Sequence, residues 1–238
     1  MSAWKNKRFW KEATAIPTEG GFTVTLDGRS VKTPAKRALI LPTSAMANAI
    51  AAEWDAQEEE VNPVTMPVTR AANAAIDKVT HQHAEVADLL AAYGDSDLLC
   101  YRADSPEGLV ARQQAAWDPL LDWAFATFGA RLTPTTGLMP QPQNPDDLAK
   151  LSAEVHAMDA FTLTAFHDLV GLAGSLIIGF AALHDHDETE VLWQASRVDE
   201  TWQEEQWGED EEATEMAANK REQFFAAKAF HTLASLPR

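Results

Sequence analysis

The fold is indicated first by the stretch Phe22–Pro34, FTVTLDGRSVKTP. Every second residue from Phe22 to Leu26 is apolar and the residues between are threonines, which predicts a β-strand with one apolar and one polar face. The pair Asp27-Gly28 that follows is typical of a tight hairpin turn, because glycine adopts positive φ at low cost. Ser30–Thr33 is therefore predicted as the returning strand.

The hydrophobic period changes after this hairpin. Leu39–Pro42 is consistent with one more short strand, and apolar residues then recur at every fourth position from Met46 to Trp54. Thr43 or Ser44 is available as the cap of a helix of about four turns. Glu53 is expected on the exposed side of this helix.

The remainder of the chain has helical spacing, apart from the segment Thr133–Pro145, whose four prolines predict a surface loop. The most apolar run, Gly171–Leu183, has thirteen residues, whereas a bilayer crossing needs about 20, so it is predicted to be one buried helix. The fold class is therefore predicted as α+β. A small N-terminal antiparallel β domain, residues 1–43, would precede a larger all-helical domain, residues 44–238, that contains the loop 133–145.

Composition narrows the functional classes. The chain has 238 residues, 46% of them hydrophobic, which is typical of a globular protein that does not insert into membranes. The single cysteine, Cys100, excludes an internal disulfide. The net charge of -17 disfavours binding to nucleic acid and favours a monomer. The N-terminal residues contain no apolar core of a secretory signal.

Negative charge is concentrated near the C-terminus. The stretch Val198–Glu215, VDETWQEEQWGEDEEATE, has nine acidic residues among eighteen and no basic residue. Four interpretations are open: a solvated face, a metal site, a pair of catalytic carboxylates, or a surface that binds a basic protein.

Helical spacing in this stretch argues against paired catalytic acids. Asp199 with Gln203, and Glu200 with Glu204, lie at i and i+4 on a side that differs from the inward stripe containing Trp202. Catalytic carboxylate pairs need an apolar pocket or a close partner to separate their pKa values. A run this exposed supplies neither in any obvious way.

Trp207 precedes Gly208, which predicts an interruption of the helix beside a tryptophan. A partly exposed tryptophan among charges is typical of a protein-binding anchor, although the ring could instead fold back into the core. The candidate partner-binding residues are Asp199, Glu200, Gln203, Trp207, Glu209 and Asp210.

The cluster HDHDE, His184–Glu188, contains ligand types suited to zinc, manganese or iron. A metal-dependent hydrolase that uses His184, His186 and Asp187 is therefore the alternative function. Consecutive residues cannot all converge on one ion, and no HExxH motif accompanies them. A junction between helices, with Asp187 as a helix N-cap, is the preferred interpretation, and no metal or cofactor is predicted. Nucleotide-binding and GxSxG motifs are likewise absent from the sequence.

Several short motifs occur in one order along the chain: KRF at 7–9, LDGR at 26–29, KTP at 32–34, LP at 41–42, EWDAQ at 53–57, TMP at 65–67, DLLCYR at 97–102, WDPLLDW at 117–123, and DE..Q...WG at 199–208. Together they resemble the chaperone family that assembles the catalytic sector of F-type ATP synthase in mitochondria and α-proteobacteria.

This resemblance implies a non-enzymatic role. Members of the family hold the unassembled α subunit of the synthase until the β subunit replaces them, and they consist of a β domain and a helical domain. The functionally sensitive acid of the family would be Asp199 or Glu200, while Trp54, Trp117 and Trp123 would serve packing. Eukaryotic members carry an import presequence that this sequence lacks, so the resemblance implies a bacterial cytoplasmic protein or a processed matrix form.

Overall fold

The computed structural model describes residues 7–137 and 141–237, which form two compact units. Unit 1 contains the described residues up to Gln82, together with Asp159–Ala165 and the described residues from Ala229 onward. Unit 2 contains the described residues of His83–Met158 and Phe166–Lys228. The predicted α+β class is confirmed, because a small N-terminal antiparallel sheet precedes a largely helical remainder.

The described residues contain ten α-helices and five short strands. The strands are β1 (Ala13–Thr18), β2 (Gly21–Leu26), β3 (Arg29–Ser30), β4 (Tyr101–Arg102) and β5 (Thr135–Thr136). The helices are α1 (Ser44–Asp55), α2 (Pro67–Asp77), α3 (His83–Ala91), α4 (Glu107–Phe128), α5 (Pro145–His156), α6 (Ala160–Ala173), α7 (Leu176–Leu183), α8 (Thr189–Ala195), α9 (Val198–Trp207) and α10 (Glu211–Ser235).

The hairpin turn is confirmed at Asp27 and Gly28, whose φ angles of 48° and 79° suit a two-residue turn that follows the twist of the strands. The returning strand is shorter than predicted, because β3 ends at Ser30 and is followed only by an isolated bridge between Lys32 and Ala38. The strand predicted at Leu39–Pro42 is likewise reduced to one bridge, between Leu41 and Phe22.

Sequence reasoning missed β1, which pairs with β2 along its whole length in the order β1-β2-β3. Its sequence ATAIPT has weak alternation and a proline, so it lacks a clear strand signal. The polar face of β2 is also covered, since Thr23 and Thr25 are buried. The Thr25 hydroxyl donates to the Thr14 carbonyl of β1 at 3.4 Å.

Helix α1 begins as predicted, with the Thr43 hydroxyl accepting from the Met46 amide at 3.1 Å. Met46 and Ile50 are buried in the core of unit 1, where α1 packs against β1 and β2. The predicted domain boundary after residue 43 marks the start of α1, whereas the unit that contains the sheet extends to Gln82. The reason is that a three-stranded sheet needs a packed helical layer to bury its apolar face.

The expectation that Glu53 is merely exposed on α1 is wrong. Its carboxylate accepts from the backbone amides of Val68 and Thr69, at 2.7 and 2.8 Å, and from the Thr69 hydroxyl at 2.6 Å. Met66, the N-cap residue of α2, supplies no side-chain hydrogen bond. Glu53 therefore performs from a neighbouring helix the capping that a local side chain usually provides.

The apolar run Gly171–Leu183 forms two helices rather than one. Gly174 has φ 69°, which ends α6, and the Ser175 hydroxyl caps α7 by accepting from the Ile178 amide at 3.0 Å. Seven of the eight residues of α7 are buried, so it is a core helix of unit 2. Within the described residues, no helix combines the length and apolar character that a bilayer crossing requires.

The proline-rich segment Thr133–Pro145 is largely non-helical, as predicted, although its residues 138–140 lie outside the described residues. It contains β5, which pairs in parallel with β4. The Gln143 side chain also fixes the segment, since its amide accepts from the Thr133 amide at 2.7 Å and donates to the Thr133 carbonyl at 3.0 Å.

Candidate functional site

Helix α9 carries the first ten residues of the acidic stretch, and none of these residues is fully buried. It begins at Val198 and ends at Trp207, where Gly208 adopts φ 93°. The predicted interruption at Trp207-Gly208 is therefore present, because a residue with a β-carbon rarely adopts such a φ. The acidic side chains divide into those that hold the helix in place and those that face solvent.

Asp199 belongs to the first group. It is half-buried, and its Oδ1 accepts from Gln113 Nε2 at 2.7 Å. Gln113 is itself only 2% exposed, and its Oε1 accepts from the Ala103 amide at 2.8 Å. The Gln113 amide thus connects α9 to the backbone that precedes α4, and Asp199 supplies the charged end of that connection.

Glu200 belongs to the second group. It is exposed, as is Gln203 one turn along the helix. The Glu200 carboxylate lies 3.5 Å from Arg197, which also contacts Glu204 at 3.1 Å. Ion pairs at such exposed positions contribute little stability, so Glu200 remains available to a partner.

The two tryptophans of the stretch occupy different environments. Trp202 packs against α4, where Arg112 lies 4.9 Å from its ring centroid and a β-carbon at Gly108 would come within 2.8 Å of it. Arg112 also pairs with Glu205 at 2.6 Å, and this hydrogen bond lowers the pKa of Glu205. Trp207, in contrast, is 79% exposed, so the alternative in which its ring returns to the core is wrong.

Asp210 has a structural role that its position in the sequence does not reveal. Its Oδ1 accepts from the Ala213 amide at 2.8 Å, and its carbonyl accepts from the Thr214 hydroxyl at the same distance. It therefore caps the N-terminus of α10. Glu209 is exposed and lies at the edge of a cleft.

This cleft, of about 280 Å³, lies between α8, α9 and α10. Its walls include two salt bridges, Arg197 with Glu204 and Arg221 with Glu190. Sequence reasoning missed both arginines as site residues. Arg197 directly precedes the acidic stretch, but its pairing with Glu204 depends on the turn of the helix. Arg221 pairs with Glu190, 31 residues away, which spacing alone does not show. The candidate site is consequently not uniformly acidic: exposed carboxylates and Trp207 surround a cleft that contains paired cations.

The cluster His184–Glu188 lies between α7 and α8, as predicted. His186 stacks on Trp123 with ring centroids 4.6 Å apart, and His184 meets the same ring edge-on. Asp185 pairs with Lys228 at 2.7 Å. The predicted N-cap Asp187 is wrong by one residue, since Glu188 holds that position without a side-chain bond. The described residues contain no group of three or more histidine, cysteine or acidic side chains placed to hold a metal ion.

Two buried titratable groups lie beside one another at the start of β4. Burial raises the pKa of Cys100 to about 12, so the thiol stays protonated and is a poor nucleophile. Burial also raises the pKa of Asp97 to about 6. Asp97 accepts from the amides of Leu99 and Ile177, at 3.0 and 3.1 Å, and therefore holds the N-terminus of α7.

Comparison with known proteins agrees with the motifs. Residues 7–125 match the family model described as ATP12 chaperone protein. The mitochondrial protein atp12 of Schizosaccharomyces pombe is 26% identical over 223 residues, which cover 88% of this chain and 76% of that protein.

Solved structures extend the likeness over almost the whole chain. Atp12 of Paracoccus denitrificans is 47% identical, with a TM-score of 0.95 over 98% of this chain and 100% of that one. The structure of an aspartate-to-lysine mutant of the same Paracoccus protein matches equally well. The Atu1473 protein of Agrobacterium tumefaciens is 42% identical, with a TM-score of 0.90 over 95% and 85% of the two chains. The chain therefore belongs to the ATP12 chaperone family.

Proposed function

We propose that this protein is an assembly chaperone of F-type ATP synthase. It binds the unassembled α subunit of the catalytic sector and prevents its aggregation until the β subunit replaces it. Membership of the ATP12 chaperone family and the motif series from residue 7 to residue 208 support this function. The main structural support for this function is the side chain of Trp207, which is 79% exposed at the end of an acidic helix.

The physical chemistry of the surface suits a chaperone that must release its client. An orphan subunit exposes an apolar interface that would otherwise aggregate. Trp207 offers an aromatic anchor to such an interface, and aromatic anchors dominate binding energy. The exposed carboxylates around it chiefly accelerate encounter with a basic surface and make binding sensitive to salt.

The six candidate residues contribute in different ways under this proposal. Trp207, Glu200, Gln203 and Glu209 contact the client directly, because all four side chains are exposed. Asp199 and Asp210 act indirectly: Asp199 fixes α9 through Gln113, and Asp210 caps α10. The protein works as a monomer in the bacterial cytoplasm, or in the matrix for a mitochondrial relative, and catalyses no reaction.

The test is capture of the isolated α subunit by the tagged chain at low and high salt. Trp207→Ala is expected to weaken capture about tenfold to hundredfold, the usual loss for an aromatic anchor. Glu200→Lys is expected to weaken it less and to reduce its dependence on salt. Glu85→Lys is the matched control, since Glu85 also lies exposed in the first turn of a helix, α3.

Melting curves accompany each variant, because these exposed substitutions should leave stability almost unchanged. Equal capture by Trp207→Ala, Glu200→Lys and Glu85→Lys at low salt would remove α9 from the mechanism. Failure of the unmodified chain to capture the α subunit under any condition would refute the proposed function itself.

A further inference from the structure

Unit 1 contains a groove of about 380 Å³ that is lined in part by the hairpin of β2 and β3. We call it the basic groove. Its floor is apolar and its edge is cationic; the floor residues are Trp10, Leu26, Val31, Trp54 and Val61, and the cations are Lys7, Arg29, Lys32 and Lys36.

The charge of the groove is opposite to that of the chain as a whole. The chain carries a net charge of -17, yet none of the described residues that line the groove is acidic. None of its four cations forms an ion pair with another residue in the described part of the chain. Four unpaired positive charges around one concave surface attract a ligand of negative charge.

The floor excludes a simple inorganic anion as the preferred ligand. Phe9 is 68% exposed and meets Trp10 edge-to-face, with ring centroids 5.2 Å apart. Trp54 also meets Trp10 edge-to-face, at the same separation. A peptide segment supplies an apolar side chain for this surface, whereas phosphate or sulfate supplies no apolar group.

The position of Lys36 is held by the surrounding fold. Its φ of 67° is uncommon for a residue other than glycine or asparagine. The loop is kept in this conformation by Asp77, which accepts from the Thr33 hydroxyl at 2.6 Å and from the Ala35 amide at 3.0 Å. The backbone that carries Lys36 is therefore fixed before any ligand arrives, which reduces the backbone entropy lost on binding.

We propose that the basic groove is a second docking surface, which binds an acidic segment of the client that carries an apolar side chain. The inference rests on the proposed function, because the client is taken to be the α subunit. It assigns two surfaces of opposite charge to two different regions of one client. Once the client is bound at one surface, its second region has a high effective concentration at the other surface. A client with both regions is therefore bound more tightly than either surface alone permits.

Measurement of α-subunit affinity over a range of salt concentrations tests this inference. The groove variant combines Lys32→Gln with Lys36→Gln. The control variant combines Arg70→Gln with Lys78→Gln, which removes two exposed cations from the same unit outside the groove. Phe9→Ala is a third variant that removes the exposed aromatic ring and leaves charge unchanged.

The groove variant is expected to bind about tenfold more weakly than the control variant at low salt, with a smaller difference at high salt. Phe9→Ala is expected to weaken binding at both salt concentrations. Equal affinities for the groove and control variants would overturn the inference while leaving the proposed function intact. Absence of binding by the unmodified chain refutes the proposed function and the groove inference with it. Groove-dependent binding to phosphatidylglycerol vesicles in place of the α subunit would assign the groove to lipid and also overturn the inference.

Discussion

Replacement of Asp199 by alanine is expected to destabilise the protein more than replacement of its neighbour Glu200. Asp199 accepts a 2.7 Å hydrogen bond from Gln113, whose side chain is 2% exposed. Its removal leaves a buried amide N–H without an acceptor, which costs about 1–3 kcal/mol. Both acids lie in the first turn of α9, so loss of the favourable helix-dipole interaction, about 0.3–1 kcal/mol, is common to the two variants and cancels in the comparison.

Thermal unfolding followed by circular dichroism provides the assay. A difference of about 2 kcal/mol corresponds to about 4–8 °C in a protein of this size. Glu200→Ala should lower the melting temperature only slightly, because its contact with Arg197 is 3.5 Å long and the Glu200 side chain is half exposed to solvent. Asp199→Asn retains an oxygen that accepts from Gln113, so it should recover a large part of the loss while still removing the charge.

Two results would refute this reasoning. If Asp199→Ala and Glu200→Ala melt within 1–2 °C of each other, on the scale just used, the bond to Gln113 contributes no net stability. If Asp199→Asn is as unstable as Asp199→Ala, the charge rather than the buried acceptor is responsible. Gln113→Ala in the Asp199→Ala background completes a double-mutant cycle, and a coupling energy near zero would lead to the same conclusion.

Three further predictions concern stability. Burial raises the pKa of Asp97 to about 6, so between about pH 4 and pH 6 the folded protein binds a proton that the unfolded chain releases. The contribution of this group to the free energy of unfolding is therefore full below about pH 4 and falls by about 3 kcal/mol as the pH rises through 6. The free energies of unfolding in urea of the unmodified chain and of Asp97→Asn should therefore differ by different amounts at pH 4 and at pH 7. The same difference between the two proteins at both pH values would contradict this prediction. Glu53→Gln should cost about 1–2 kcal/mol in urea unfolding, because the amide replaces one of the two oxygens that cap α2, whereas the same change at the exposed Glu58 should have almost no effect. Trp117→Phe should cost about 1–3 kcal/mol, since it leaves the buried Ala195 carbonyl without the indole donor at 2.7 Å; an unchanged urea midpoint would indicate that another donor replaces it.

In the candidate site, two adjacent acidic residues have different roles that their spacing in the sequence does not distinguish. The pattern DE..Q...WG places Asp199 and Glu200 side by side, with identical charge. Their different roles follow from Gln113, which lies 86 residues away in the sequence. The exposure of Trp207 was also undecided, because a tryptophan before a glycine can either pack or project.

The sequence was sufficient to predict the elements of secondary structure that depend on interactions between neighbouring residues. The alternation from Phe22 to Leu26 and the turn at Asp27-Gly28 are set by neighbouring residues, and both are present as predicted. The cap of α1 is Thr43, one of the two candidates that the sequence offered. The family motifs, which are short sequences in a fixed order, can also be recognised from the sequence alone.

Tertiary structure alone decided the features that depend on distant partners. The β1 strand exists because β2 offers it a full hydrogen-bonding edge, although its own sequence has little strand character. Glu53 caps a helix other than its own, and the basic groove gathers Lys7, Arg29, Lys32 and Lys36 around two tryptophans 44 residues apart. Periodicity predicts which face of an element is apolar, but only packing determines what that face and the polar groups beside it will meet.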